Sequence, residues 1–126
     1  MVVLATSTPQ AAAPRPAAGV AVEPAIDLDH LGRMTLGEQS LEHEVLALFR
    51  RQADMLLPRI RSGGRVQAAA SAHTLKGSAS GIGAFRVARA AAAVEVADAA
   101  TIAAAIDTLA VMLDEAKAEI AQLLSR

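Results

Sequence analysis

The sequence has no cysteine, tryptophan or tyrosine, and Phe49 and Phe85 are its only phenylalanines. Without cysteine the chain can form neither a disulfide framework nor a thiolate metal site. Without clustered aromatic rings it has no surface on which nucleic-acid bases could stack, and its formal net charge of −1 gives no general attraction for polyanions. These absences predict a protein that does not bind nucleic acid. The lack of cysteine is also compatible with the cytoplasmic location that we expect.

Three further patterns are missing. No segment alternates apolar and polar residues with a period of two, so strands are not indicated. The alanine-rich run of residues 88–113 is interrupted by Arg89, Glu95, Asp98 and Asp107, so no membrane span fits. Neither a Gly-x-x-x-x-Gly-Lys phosphate loop nor a glycine-rich kinase signature occurs. We therefore expect a protein without its own ATP-dependent kinase activity, and not an enzyme in that sense.

Composition divides the chain into two parts. Residues 1–24 are rich in alanine, proline and small polar residues, which predicts a flexible tail with no helix of its own. Residues 25–126 carry apolar residues at helical spacing, and we expect one helical domain there.

The domain is predicted to be all-α. A short helix begins after the N-cap Asp27, and a second begins near Glu38 and meets a kink or break near Leu57, because Pro58 cannot donate a backbone hydrogen bond. The expected apolar stripe of that second helix is Leu41, Val45, Leu48, Phe49, Gln52, Met55, Leu56 and Ile60. Further helices are expected over residues 65–80, over residues 84–97, and after a cap at Thr101. Short turns favour an antiparallel four-helix bundle with a short extra N-terminal helix.

The predicted third helix has two different faces. At about 100° per residue, Lys76, Gly77 and Ser80 lie within roughly 60° of His73. The opposite face carries the aliphatic residues Ala68, Ala72, Leu75, Ala79 and Ile82. Burial of the aliphatic face would leave the imidazole and the ammonium exposed on the other.

Gly77 is unusual in the middle of a helix, where glycine costs about 1 kcal/mol relative to alanine. It stands in the sequence His73-Thr74-Leu75-Lys76-Gly77-Ser78, and a further glycine, Gly83, follows ten residues after the histidine. This pattern resembles the signature of histidine-containing phosphotransfer (HPt) domains, and the resemblance extends over about residues 26–125.

The resemblance implies a role for each matching residue. His73 would accept a phosphoryl group from an aspartyl phosphate on one protein and pass it to an aspartate on another. Lys76 would place a positive charge beside that group. Gly77, Ser80 and Gly83 would leave room for the partner to dock.

Two further positions are less determined. Glu95, 22 residues after His73, either accepts a hydrogen bond from the ring and fixes its tautomer, or is an ordinary solvated glutamate. Arg86 and Arg89 either form a positive rim that steers an acidic partner, or belong to a solvated helix face.

His30 and His43 have no such neighbours, so we predict solvated helix residues and no metal site in this chain. The resemblance implies receiver domains of response regulators and a hybrid histidine kinase as partners, with Mg²⁺ bound by the receiver, and we expect a monomer. In the favoured interpretation the chain is a phosphorelay carrier. In the alternative it is a helical docking or inhibitory module that binds a histidine kinase or response regulator without carrying phosphate.

Overall fold

Five α-helices make up the computed structural model, which describes residues 23–126. They are α1 (Leu28–Met34), α2 (Gln39–Ser62), α3 (Arg65–Ile82), α4 (Phe85–Val96) and α5 (Ile102–Leu124). This described part contains no strand, and the all-α prediction is confirmed. Residues 1–22, which hold most of the predicted tail, lie outside it, and the division of the chain at residue 24 stays a prediction. Within residues 23–126 no helix is both long and apolar enough to cross a membrane.

The helices contact one another in a cyclic order. α3 packs against α2 and α4, α5 packs against α4 and α2, and α1 lies against α3. Three ion pairs join α2 to α5 or to Arg126, which lies just after α5. They are Glu42 with Arg126, Asp54 with Lys117, and Arg61 with Asp107. Their order along α2 is the reverse of their order along α5.

The core lies mainly between α2, α3, α4 and α5. α5 contributes an apolar stripe in which Ile102 is half-buried and the other members are buried: Ile106, Leu109, Leu113, Ile120 and Leu123. α3 and α4 contribute mainly buried alanines, whose small side chains let helices approach closely. Burial of each Leu, Ile or Phe stabilises the fold by roughly 1.5–3 kcal/mol.

The apolar stripe predicted for α2 is wrong in part. Leu48 and Met55 are 58% and 50% exposed, whereas Leu46 and Ala53, which the prediction omitted, are buried with Phe49, Leu56 and Ile60. α2 carries two adjacent apolar stripes, and only one of them faces the core. The other borders an open groove against Ser78 and Ile82 of α3.

Pro58 does not break α2, which continues to Ser62. Pro58 has no backbone N–H, so the carbonyl group of Asp54 accepts no helical hydrogen bond. Both residues are exposed, and water can reach this carbonyl group. The expected break is wrong, and the expected kink stays a prediction.

Asp27 caps α1 as predicted, because its carboxylate accepts a hydrogen bond from the His30 backbone N–H at 3.1 Å. Leu31 of this helix is buried, while Leu28 and Met34 are exposed.

The other predicted helix ends need correction. α3 ends at Ile82 instead of Ser80, so Gly81 lies within the helix and Gly83 makes the turn in the left-handed region, with φ of 85°. Thr101 makes no side-chain cap for α5. Instead the Asp98 carboxylate accepts hydrogen bonds from the backbone N–H groups of Ala100 and Thr101, both at 3.0 Å. Asp98 satisfies these donors because its side chain reaches two and three residues ahead in the turn.

Candidate functional site

His73 lies on the solvent-facing side of α3, and its side chain is 69% exposed. The opposite side of the helix is buried: Ala72, Leu75 and Ala79 have no exposed surface. Burial of this aliphatic side fixes the rotation of α3 about its axis. His73 is therefore presented to solvent by a rigid, packed helix.

Glu95 reaches His73 from the neighbouring helix. It lies near the end of α4, which packs along α3, and its side chain is only 20% exposed. One carboxylate oxygen, Oε2, lies 2.8 Å from His73 Nδ1. The other, Oε1, forms an ion pair with Lys76 Nζ at 2.6 Å. A single carboxylate thus contacts both polar groups of the His73 face.

These contacts determine the charge of Glu95. The Lys76 ammonium, and after it the His73 imidazole, hold the pKa of the Glu95 carboxyl below its ordinary value of 4.5. The carboxylate is ionised at neutral pH and can only accept hydrogen bonds. His73 Nδ1 must therefore donate its N–H to Glu95, and in the neutral ring the lone pair is on Nε2.

The space beside His73 is open. Gly77 is exposed, and a methyl group added to it would meet no other part of the described chain within 4 Å. A methyl group added to Gly81, which we did not predict as a site residue, would also meet nothing within 4 Å. Ser80 is half-buried and borders a shallow hollow together with Lys76 and Arg89.

Gly83 does not share this open face. It is buried, and an added methyl group would lie 2.8 Å from the Asp27 carbonyl oxygen. The Gly83 carbonyl also accepts a hydrogen bond from the Asp27 N–H at 2.9 Å. We therefore revise the role of Gly83 from partner docking to turning the chain between α3 and α4.

The two arginines assigned to a positive rim both have carboxylate partners. Arg86 pairs with Glu115 of α5 at 2.8 Å, and Arg89 pairs with Glu23. Only Arg89 borders the hollow that contains Lys76. The rim as predicted is thus reduced to Arg89, whose role stays a prediction.

The other two histidines are not the solvated residues that we predicted. His30 is half-buried, with Nε2 at 3.2 Å from the Gly81 carbonyl oxygen and its ring edge-on to Phe85, at 5.1 Å between centroids. His43 is half-buried, and its buried Nε2 has no hydrogen-bond partner among residues 23–126. Residues 23–126 contain no group of three His, Cys, Asp or Glu side chains that could hold a metal ion.

Comparison with known proteins identifies the family. The model of the Hpt domain matches residues 44–124, a range that includes His73, Lys76 and Glu95. The chain belongs to the Hpt domain family, whose members are phosphotransfer carriers of two-component signalling and interact with receiver domains and histidine kinases. No curated protein and no solved structure matches the chain.

Proposed function

We propose that the chain is a phosphorelay carrier. His73 accepts a phosphoryl group from an aspartate of one receiver domain and passes it to an aspartate of another. The observation that supports this proposal most strongly is the exposed imidazole, whose Nδ1 lies 2.8 Å from Glu95 Oε2 while Nε2 keeps its lone pair. Family membership supports the general chemistry, and the receiver-to-receiver route is our inference.

The transfer step needs no group beyond these and the receiver. The Nε2 lone pair attacks the phosphorus of the receiver's aspartyl phosphate, so an N–P bond forms and the P–O bond to the aspartate breaks. The aspartate leaves as a carboxylate, and the Nδ1 proton stays on the ring, donated to Glu95. Transfer onward reverses these changes on a second receiver. Lys76 places its charge beside the phosphoryl group in both directions.

The Mg²⁺ that assists this chemistry would be bound by the receiver, and the phosphoryl group would arrive through a partner such as a hybrid histidine kinase. The carrier would hold the acceptor nitrogen in position, while the in-line geometry is completed when the receiver docks. Gly77 and Ser80 would border the space through which the receiver approaches.

We further infer that α2–α5 form an antiparallel four-helix bundle, with α1 as the short additional helix. The cyclic packing order and the reversed order of the ion pairs between α2 and α5 support this arrangement. A cytoplasmic monomer would suit a carrier that must dissociate from one receiver and bind the next.

A transfer assay tests the proposal. Each receiver domain of the source organism is phosphorylated with acetyl phosphate, freed of the donor and mixed with the full chain for short times. We expect at least one receiver to transfer a label that is acid-labile and alkali-stable, and a second, unphosphorylated receiver to remove it. If no receiver exchanges phosphate with the folded protein, the relay function is wrong.

A further inference from the structure

Arg89 already holds an acidic partner from within the chain. It lies on α4 with its side chain 64% exposed, and it borders the hollow shared by Lys76 and Ser80. Its guanidinium forms a hydrogen-bonded ion pair with the carboxylate of Glu23. The one described carboxylate paired with this arginine thus comes from the segment that precedes α1.

Contacts other than that ion pair hold the segment that follows Glu23. Three residues later Ile26 is buried in the core, with 1% of its surface exposed. The next residue, Asp27, donates its backbone N–H to the Gly83 carbonyl at 2.9 Å. These contacts fix the segment against the turn between α3 and α4. Glu23 is therefore held close to Arg89 at a high effective concentration.

We propose that Glu23 is an intramolecular competitor for Arg89, which it occupies in place of an acidic group of the incoming receiver domain. This inference rests on the proposed function. The hollow that Arg89 borders also contains Lys76, which lies one turn from His73. A receiver that binds Mg²⁺ beside its phosphorylated aspartate must carry carboxylates there, so its charge would be complementary to that of Arg89. A receiver that docks on His73 must displace Glu23 to reach the arginine.

The other arginine of α4 shows the contrast. Arg86 pairs with Glu115, which lies on α5, and it does not border the hollow. Both pairs join an arginine of α4 to a glutamate. The Arg86 pair links two helices, whereas the Arg89 pair occupies a guanidinium group beside the His73 face. Glu115 is consequently a matched control for Glu23, because neutralising either residue changes the net charge by the same amount.

The size of the effect follows from exposure. Exposed ion pairs contribute little to an equilibrium, and their contribution decreases with salt. Glu23→Gln should therefore raise kcat/KM for transfer from a phosphorylated receiver by about two- to fivefold at low ionic strength. The gain should shrink as salt is added and should appear in KM more than in kcat, because docking changes and the chemistry at His73 does not.

The experiment compares the full-length parent, Glu23→Gln, Arg89→Ala, the double variant, and Glu115→Gln, with the most active receiver phosphorylated by acetyl phosphate. We expect a faster reaction for Glu23→Gln, a slower one for Arg89→Ala and no change for Glu115→Gln. In the Arg89→Ala background, Glu23→Gln should lose most of its effect. Circular dichroism verifies that each variant is folded.

Three results would overturn the inference. One is an active parent whose transfer rate is the same in Glu23→Gln. Another is an equal gain for Glu115→Gln, because net charge would then explain the effect. The third is an undiminished gain in the Arg89→Ala background. These results would leave the relay function intact, whereas a parent that exchanges no phosphate with any receiver would contradict the proposed function itself.

Discussion

The two sides of α3 differ in burial and in chemistry. Its buried side contributes Ala72, Leu75 and Ala79, which have no exposed surface and no polar side chain. Its exposed side presents His73 and Gly77 to solvent, with Lys76 at the edge next to α4. This difference predicts that stability and phosphotransfer can be changed independently on one helix. Substitutions on either side test this separation.

The largest effect is expected on the buried side. Leu75→Ala should lower the free energy of unfolding by about 2–5 kcal/mol, because it removes a fully buried side chain and leaves a cavity. Denaturant titration measures this change. Thr74→Ala, at the exposed neighbouring position, is the control, and it should change the free energy of unfolding by about 0.5 kcal/mol or less. Transfer per folded molecule should be unchanged. An equally stable Leu75→Ala variant would contradict the assignment of this side to the core.

On the exposed side, Gly77→Gln should have the opposite profile. The free energy of unfolding should be unchanged or rise by up to about 1 kcal/mol, because glycine is a poor helix residue and a side chain at position 77 would meet open space. Transfer from a receiver should fall by about tenfold or more, roughly 1.4 kcal/mol of docking free energy. Uptake from a small donor such as phosphoramidate should persist.

Gly32→Gln is the control for this substitution, because Gly32 is also helical and a methyl group added to it would likewise meet nothing within 4 Å, but it lies on α1. It should leave transfer unchanged. If Gly77→Gln transfers as fast as the parent, the open space is not required for docking. If it unfolds, Gly77 is needed for packing.

A smaller effect is expected at the edge between the two sides. Lys76→Ala should slow transfer or shorten the lifetime of phosphorylated His73 by about two- to fivefold, the range of an exposed charge interaction. The decay of the labelled protein and its transfer rate give both quantities. Lys117→Ala, which removes a lysine paired with Asp54 on the far side of the domain, is the control. Unchanged rates in both directions would remove Lys76 from the site.

The smallest effect concerns pH. The pKa of Glu95 is lowered in the fold, so its contribution to stability is present above about pH 4.5 and is lost as pH falls through the folded value. The melting temperature of the parent should exceed that of Glu95→Gln slightly at neutral pH, and the two should converge in acid. Glu44→Gln, on an exposed position of α2, should show no such convergence. If the difference in melting temperature between the parent and Glu95→Gln stayed constant from neutral pH into acid, the ionised contacts of Glu95 with Lys76 and His73 would be contradicted.

The periodicity of α3 was sufficient to predict its two sides, because Leu75 and the alanines around it can be buried only together. The same argument was insufficient for α2. Its residues include two neighbouring apolar stripes, and the helical period cannot tell which of them faces the core. The packing of α2 against α3 and α5 decides that question, and these contacts are long-range.

Contacts between separate segments explain what else the sequence left open. Nothing local indicates that one carboxylate of Glu95 touches both Lys76 and His73, or that Glu23 reaches Arg89 across 66 positions of the chain. Gly83 was predicted to keep a docking face open, yet its packing against Asp27 is apparent only once the segment before α1 is in place.

The central claim is that His73 is the phosphoacceptor, and one measurement tests it most directly. The parent, His73→Gln, His30→Gln and His43→Gln are mixed with a phosphorylated receiver, and incorporation of acid-labile, alkali-stable label is followed by mass and by radioactivity. We expect complete loss of labelling in folded His73→Gln and labelling of the other three proteins. Continued labelling of folded His73→Gln would contradict it.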